Sequence, residues 1–169
     1  MGHFERFGQY TGLMTIETAR FCTLRTTAIL THGGERLATH QAINEHGSRV
    51  LLCRYCASYV EAYQWAARLR LPPRGEIQIS ALALVWRCPT GFQLPMVKDG
   101  LRSLRHFGAI AKALEDMTKA QLMQKIAGRY LLRDACPDCF RRGSHDQDCG
   151  LTFKPEQFAT RYQKNEAFV

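Results

Sequence analysis

Cys136, Cys139, His145 and Cys149 are the residues best equipped to do chemistry together, spaced C-x2-C-x5-H-x3-C. A zinc ion takes about four soft or borderline donors in a tetrahedron, and a Cys-Pro-Asp-Cys turn supplies two thiolates from one tight loop. Between the donors lie mostly Gly, Ser, Asp, Gln and Arg, which cannot build a core. The stretch needs another source of order, and a metal can supply it because binding free energy becomes folding free energy. Reduced cysteines paired in a polar loop would otherwise be open to oxidation. One Zn2+ per chain is therefore the expected cofactor. The Cys136/Cys139 pair carries most of this signal. His145 could instead be a surface residue or contact phosphate, with Asp146 or Asp148 standing behind it as donors.

The other four of the seven cysteines read differently. Cys22 stands in an apolar-periodic segment, as a small buried hydrophobe does. Cys53 and Cys56 form a C-x2-C, but the flanking SRVLLCRYCASY is apolar and helix-like. Residues i and i+3 share a helix face, so both are expected to face the core rather than a metal. Cys88 precedes a proline in a turn, with no nearby donor. The opening MGHFERFGQY lacks a basic stretch followed by an apolar one, so export and disulfides are not expected and a cytoplasmic location is. The longest uncharged apolar run, Ile77 to Trp86, is ten residues, too short to span a bilayer.

Catalytic signatures are missing. The chain has no G-x-x-x-x-G-K-[ST], no G-x-G-x-x-G opening a helix, no H-E-x-x-H and no G-x-S-x-G. Asp146 and Asp148 stand beside His145 in a polar loop, without an apolar pocket to shift a pKa. No enzyme is expected. The charge balance points elsewhere: 23 basic residues against 15 acidic give +8, which permits a polyanionic partner. Residues 48–75 hold five arginines and one glutamate, so half of that excess falls in one short stretch. A solvated basic face would carry the same excess.

These residues must be positioned by elements, and apolar spacing predicts mostly helices. Leu13, Ile16, Ala19, Leu24 and Ala28 suggest a helix over 12–30, with a second over 35–43 and a short one over 48–55. Ser58 and Glu61 make a capping box opening a helix at about 59–70, which Leu71-Pro72-Pro73 stops. Short helix, break and capped basic helix outline a helix-turn-helix, although an αα-hairpin with no DNA role has the same outline. Residues 77–86 suit a buried strand or a helix. A further amphipathic helix is expected over 97–114. Thr118 and Gln121 make a second capping box, predicted to open a helix through Leu122, Ile126 and Tyr130 into the cysteine segment. The expected fold is mainly α: a helical domain over 1–132 with a helix-turn-helix-like pair, a small zinc-binding unit over 133–152, and a polar tail over 153–169.

Residues 46–80 and the motifs that follow resemble the FlhC-like transcriptional activators, the zinc-containing subunit of the flagellar master regulator and its relatives on conjugative mobile elements. Gly47-Ser48-Arg49-Val50 resembles that family's Gly-small-Arg-aliphatic segment, and Ala57-Ser58 its Leu-Ser opening of a basic helix. Pro72-Pro73-Arg74-Gly75 resembles its Pro-Pro-Lys-Gly, Ile79-Ser80 its apolar-Ser stretch, and Cys136 with Cys139 its Cys-x2-Cys. The family's second Cys-x2-Cys is missing; only Cys149 follows. The resemblance implies an activator subunit that binds double-stranded promoter DNA with a small helical FlhD-like partner and recruits RNA polymerase. Arg49, Arg54, Arg68, Arg70 and Arg74 are then the DNA-facing candidates, since the planar guanidinium can bind phosphate or guanine with two hydrogen bonds. Two other readings fit the same residues. A zinc-knuckle RNA-binding or antitermination factor would want aromatics such as Phe140 and Phe153 beside its ligands. A protein-only zinc adaptor would leave the basic face incidental.

Overall fold

The computed structural model describes residues 10–23, 35–96, 106–145, 147 and 149. Within them lie five antiparallel strands and three helices. Strands β1 (Thr11–Thr15), β2 (His40–Ile43) and β3 (Arg49–Leu52) form one sheet in that order, and β4 (Met123–Ile126) pairs with β5 (Arg129–Leu132) in a second. Between the sheets come α1 (Arg54–Arg68), α2 (Glu76–Arg87) and α3 (Phe107–Lys119). Helix α1 packs on α2, α2 on α3, and α3 against β4. The core runs through this layer from Leu52 and Tyr59 past Ile79 and Leu82 to Ile110, Leu114 and Tyr130, all buried. No helix among the described residues is long and apolar enough to cross a membrane.

The mainly α expectation is thereby overturned. Of the helix predicted over 12–30, residues 12–15 belong to strand β1, 16–23 are not helical, and 24–30 lie outside the described residues. The predicted helix over 35–43 ends instead in β2, and that over 48–55 is divided between β3 and the first two residues of α1. Turn chemistry explains the second change. Asn44 Oδ1 accepts from the amides of His46 and Ser48 at 3.0 and 2.9 Å, and Gly47 takes φ +79°, closing a hairpin between the two strands. The helix-turn-helix disappears with it, because its first helix is a strand.

Helix α1 forms where a helix was expected, but it starts four residues before Ser58. Ser58 lies inside it and donates to the Tyr55 carbonyl, while the cap is Cys53, whose sulfur accepts from the Cys56 amide. Residues 77–86 prove helical, and the predicted helix over 97–114 is realised as α3, with 97–105 outside the described residues. The second capping box fails. Thr118 sits in the last turn of α3 and donates back to the Leu114 carbonyl at 2.7 Å. Gln121 at φ +68° then ends the helix: its amide bonds to Thr118 and that of Leu122 to Met117, the paired closure of a left-handed C-terminus. Ala127 and Gly128, both at positive φ, turn the chain into a two-residue hairpin where a helix was predicted.

Gln121 occupies a position that glycine fills without a Cβ penalty. Gln121→Gly is expected to stabilise the protein by about 1 kcal/mol, read as a higher urea midpoint at unchanged slope. The hairpin is clamped to α3 through Glu115, which accepts from the Tyr130 hydroxyl and pairs with Lys125 at 3.1 Å. Tyr130 first, and Lys125 after it, hold the Glu115 carboxyl below its ordinary 4.5. A carboxyl depressed by folding adds stability above its unfolded pKa and loses it as pH falls through the folded value. Glu115→Gln should therefore be slightly less stable than the parent near neutral pH, with the gap closing in acid. Thermal melts across pH 3–7 would check this; a gap that persists at the acid end would refute it.

Candidate metal centre

Strand β5 delivers the chain into the cysteine loop. Cys136 is fully buried; its amide bonds to the Arg141 carbonyl at 2.9 Å, and the Phe140 amide to the Cys136 carbonyl at 2.8 Å. Phe140 takes φ +64° and Gly143 φ +71°, so the loop doubles back within a few residues. Gln124 braces its entry by donating to the carbonyls of Leu132 and Ala135 at 3.0 and 2.8 Å. The result is a knuckle on which donors separated in sequence converge.

Cys136, Cys139, His145 and Cys149 all come together, their donor atoms within 4.8 Å of one another. The Sγ atoms of Cys136 and Cys149 are 3.7 Å apart. His145 Nδ1 is 3.2 Å from the Cys149 sulfur and 3.8 Å from that of Cys139. For bonds to sulfur of about 2.3 Å and to nitrogen of about 2.0–2.1 Å, a tetrahedron has edges of about 3.8 Å between sulfurs and about 3.6 Å from sulfur to nitrogen. The four residues therefore form a group that could hold a metal ion, with Nδ1 of His145 as the inward nitrogen. Asp146 and Asp148 lie outside the described residues.

The knuckle is fastened to the helices by Arg142. Its guanidinium makes two hydrogen bonds to the Asp134 carboxylate, at 2.6 and 2.8 Å. The same group lies 4.5 Å from the ring centre of Trp86 and 5.1 Å from that of Trp65. Trp86 in turn donates to Glu61 on α1 at 2.9 Å.

A second convergence escaped the reading of the sequence. Cys22, Cys53 and Cys56 also bring their sulfurs within 4.8 Å of one another and form a second group that could hold a metal ion. Cys53 and Cys56 do face inward as expected, each about 1% exposed, but they share that position with Cys22. Hydrogen bonding from Cys22, and then from Cys56, pulls the Cys53 thiol far below the usual thiol range. Cys22 is pushed up mainly by its bond with Cys53, and Cys56 by its bonds with both. The available signal was the C-x2-C itself, falling at the start of a helix rather than within one. Cys88 lies apart, its thiol pushed up by burial.

The five arginines are all exposed, but they do not form one patch. Arg49 opens β3 and Arg54 opens α1; Arg68, Arg70 and Arg74 cluster at the far end of α1 and in the turn after it. At 1.5 Å per residue the two sets stand about 20 Å apart along the helix. The middle of α1 is core, with Tyr59, Val60, Ala62, Trp65 and Ala66 all buried. No protein-family model matches this chain, and no match is found among curated proteins or solved structures.

Replacing a donor tests the knuckle directly. Cys136→Ser should lower the bound metal by about one ion per chain and loosen the loop, seen as faster amide exchange over 133–145. Unchanged metal content in this variant would remove Cys136 from the ligand set.

Proposed function

We propose that this chain is a DNA-binding transcriptional activator subunit, its knuckle held by a zinc ion in the Cys136, Cys139, His145 and Cys149 group. In this reading it engages promoter duplex with a small helical FlhD-like partner and recruits RNA polymerase. Zinc is favoured over softer or harder ions because three thiolates and one imidazole at tetrahedral spacing form a closed structural set for it. One observation carries the DNA reading. None of Arg49, Arg54, Arg68, Arg70 and Arg74 is paired with a carboxylate among the described residues, although all are exposed. Exposed guanidinium groups without a carboxylate partner, on a chain of net +8, are what phosphate oxygens would meet.

Because α1 is wholly buried over residues 56–60, it does not offer an unbroken exposed face from end to end with which to read base edges in a major groove. Its two charged ends suit phosphates instead, contacts that set register and orientation and carry no sequence information. Sequence choice then falls to the partner, to DNA shape or to the knuckle, where Arg141 is exposed.

The test is the salt dependence of binding. Replacing Arg68 and Arg70 with Ala should weaken binding to every duplex alike. It should also flatten the slope of log K against log salt by about 0.9 for each phosphate no longer neutralised. An unaltered slope would make these ordinary solvated charges. Gel shifts with single-stranded RNA alongside the duplex separate this reading from a knuckle that stacks unpaired bases.

A further inference from the structure

We propose that Cys22, Cys53 and Cys56 form a second metal site, which holds a thiophilic divalent ion through three thiolates at the N-terminus of α1. The site depends on neither the DNA reading nor the C-terminal donor group.

Backbone hydrogen bonds hold the three sulfurs in place from two directions. The Cys22 amide bonds to the Arg36 carbonyl at 2.8 Å, and Thr23 bonds through its amide to the Leu51 carbonyl at 2.9 Å. The Thr23 hydroxyl adds a bond to the Leu51 carbonyl and accepts from the Leu51 amide. Cys22 is thus tied beside the end of β3, two residues before Cys53. Cys53 caps α1 and Cys56 lies in its first turn, so the helix presents two sulfurs on one side of its start. The ligand-capable atoms lie within 4.8 Å of one another, which is the range for sharing an ion.

Chemistry favours an ion here over three packed thiols. A helix start most often carries Ser, Thr, Asp or Asn as its cap, whereas here the acceptor is a sulfur 3.5 Å from the amide it caps. The positive end of the helix dipole favours thiolate. A thiolate in so dry a place, with Cys53 and Cys56 each about 1% exposed, needs a positive partner, which an ion shared by the three sulfurs would supply. Cys22 is less buried than the other two. Binding exchanges the remaining thiol protons for the ion. Three protein sulfurs leave one position of a tetrahedron to solvent or a small ligand, and an all-sulfur set selects soft or borderline ions such as zinc.

Metal per chain, measured by mass spectrometry on the full chain purified under reducing conditions and loaded with zinc alone, tests this. With both sites filled, the parent is expected to hold two ions. Cys136→Ala combined with Cys139→Ala should keep one, and Cys22→Ala should hold one fewer than the parent. A double variant that is folded by circular dichroism but metal-free overturns the proposal. So does a Cys22→Ala protein that keeps the parent's metal. If Cys22→Ala does not fold, the double variant decides. If neither variant folds, Cys22→Ser replaces Cys22→Ala and is read in the same way. Failure of the C-terminal group would read differently: one ion in the parent, retained in the double variant and lost in Cys22→Ala.

Discussion

The guanidinium of Arg142, held between a carboxylate and two indoles, is the contact on which the position of the C-terminal loop depends. Asp134 fixes its plane with two hydrogen bonds, and the tilted pair Trp65 and Trp86, 5.7 Å apart, receives its face. Charge-assisted bidentate bonds are among the stronger ones available to a side chain, and an arginine over tryptophan adds about 0.5–2 kcal/mol. From Trp86 the path continues to Glu61, whose other oxygen lies 3.8 Å from His40 on β2. A run of polar and aromatic contacts thus links knuckle, both central helices and the first sheet. Donor convergence orders the knuckle internally; Arg142 sets where that ordered piece sits.

The same helix layer governs the basic surface. Helix α1 buries most of its length, so its charge is pushed to its ends, and the arginines separate into two sets about 20 Å apart. A recognition helix needs an exposed face along several turns, whereas α1 is wholly buried over residues 56–60 and only partly exposed at Glu61, Tyr63 and Gln64. On the proposed reading the protein grips a duplex at two places and takes its register from the spacing between them. Arg87, at the end of α2, turns inward. It donates to Ser58 and the Tyr55 carbonyl and lies over the rings of Tyr55 and Tyr59. Position in the core, rather than residue type, separates a structural arginine from one free to meet phosphate.

The knuckle was legible because its signal is local: four donors, a tight turn and too few apolar residues to build an alternative. Helix α1 was legible over most of its length for a similar reason, since Tyr59, Ala62, Trp65, Ala66 and Leu69 keep a strict helical period. The strands were not. Segments 11–15, 40–43 and 49–52 are too short to show an alternation that competes with chance spacing at i and i+3. What decides them is Asn44 accepting two amides and Gly47 adopting positive φ. The β4–β5 hairpin was hidden for a different reason. Its turn uses Ala127 before Gly128, and α3 ends on Gln121 rather than glycine, so neither boundary has the residue that marks it in sequence. The Cys22 group was invisible because its third member lies thirty-one residues before Cys53 and is brought beside it by long-range bonds such as those of Thr23 to Leu51.

These weak local signals bear on how the fold is held. A two-stranded hairpin is marginal alone, and three short strands are little better without a covering layer. Two helix ends carry Arg70 and Gln121 in left-handed conformations, which cost a residue with a Cβ about 1–2 kcal/mol. Order must therefore come from contacts that bridge elements, and the two sulfur-rich groups stand at two such junctions, the start of α1 and the loop beyond β5. Arg54 stands between Cys53 and Cys56, and Arg49 opens the strand that leads to them. An ion on those sulfurs would fix one of the two basic sets at the same time as it fixed the helix start. The other set, Arg68 to Arg74, is placed by the helix end and by Gly75, which caps α2 at φ +102°. The two halves of the proposed phosphate grip would then rest on different supports, metal at one end of α1 and backbone geometry at the other. Metal removal should accordingly disturb them unequally.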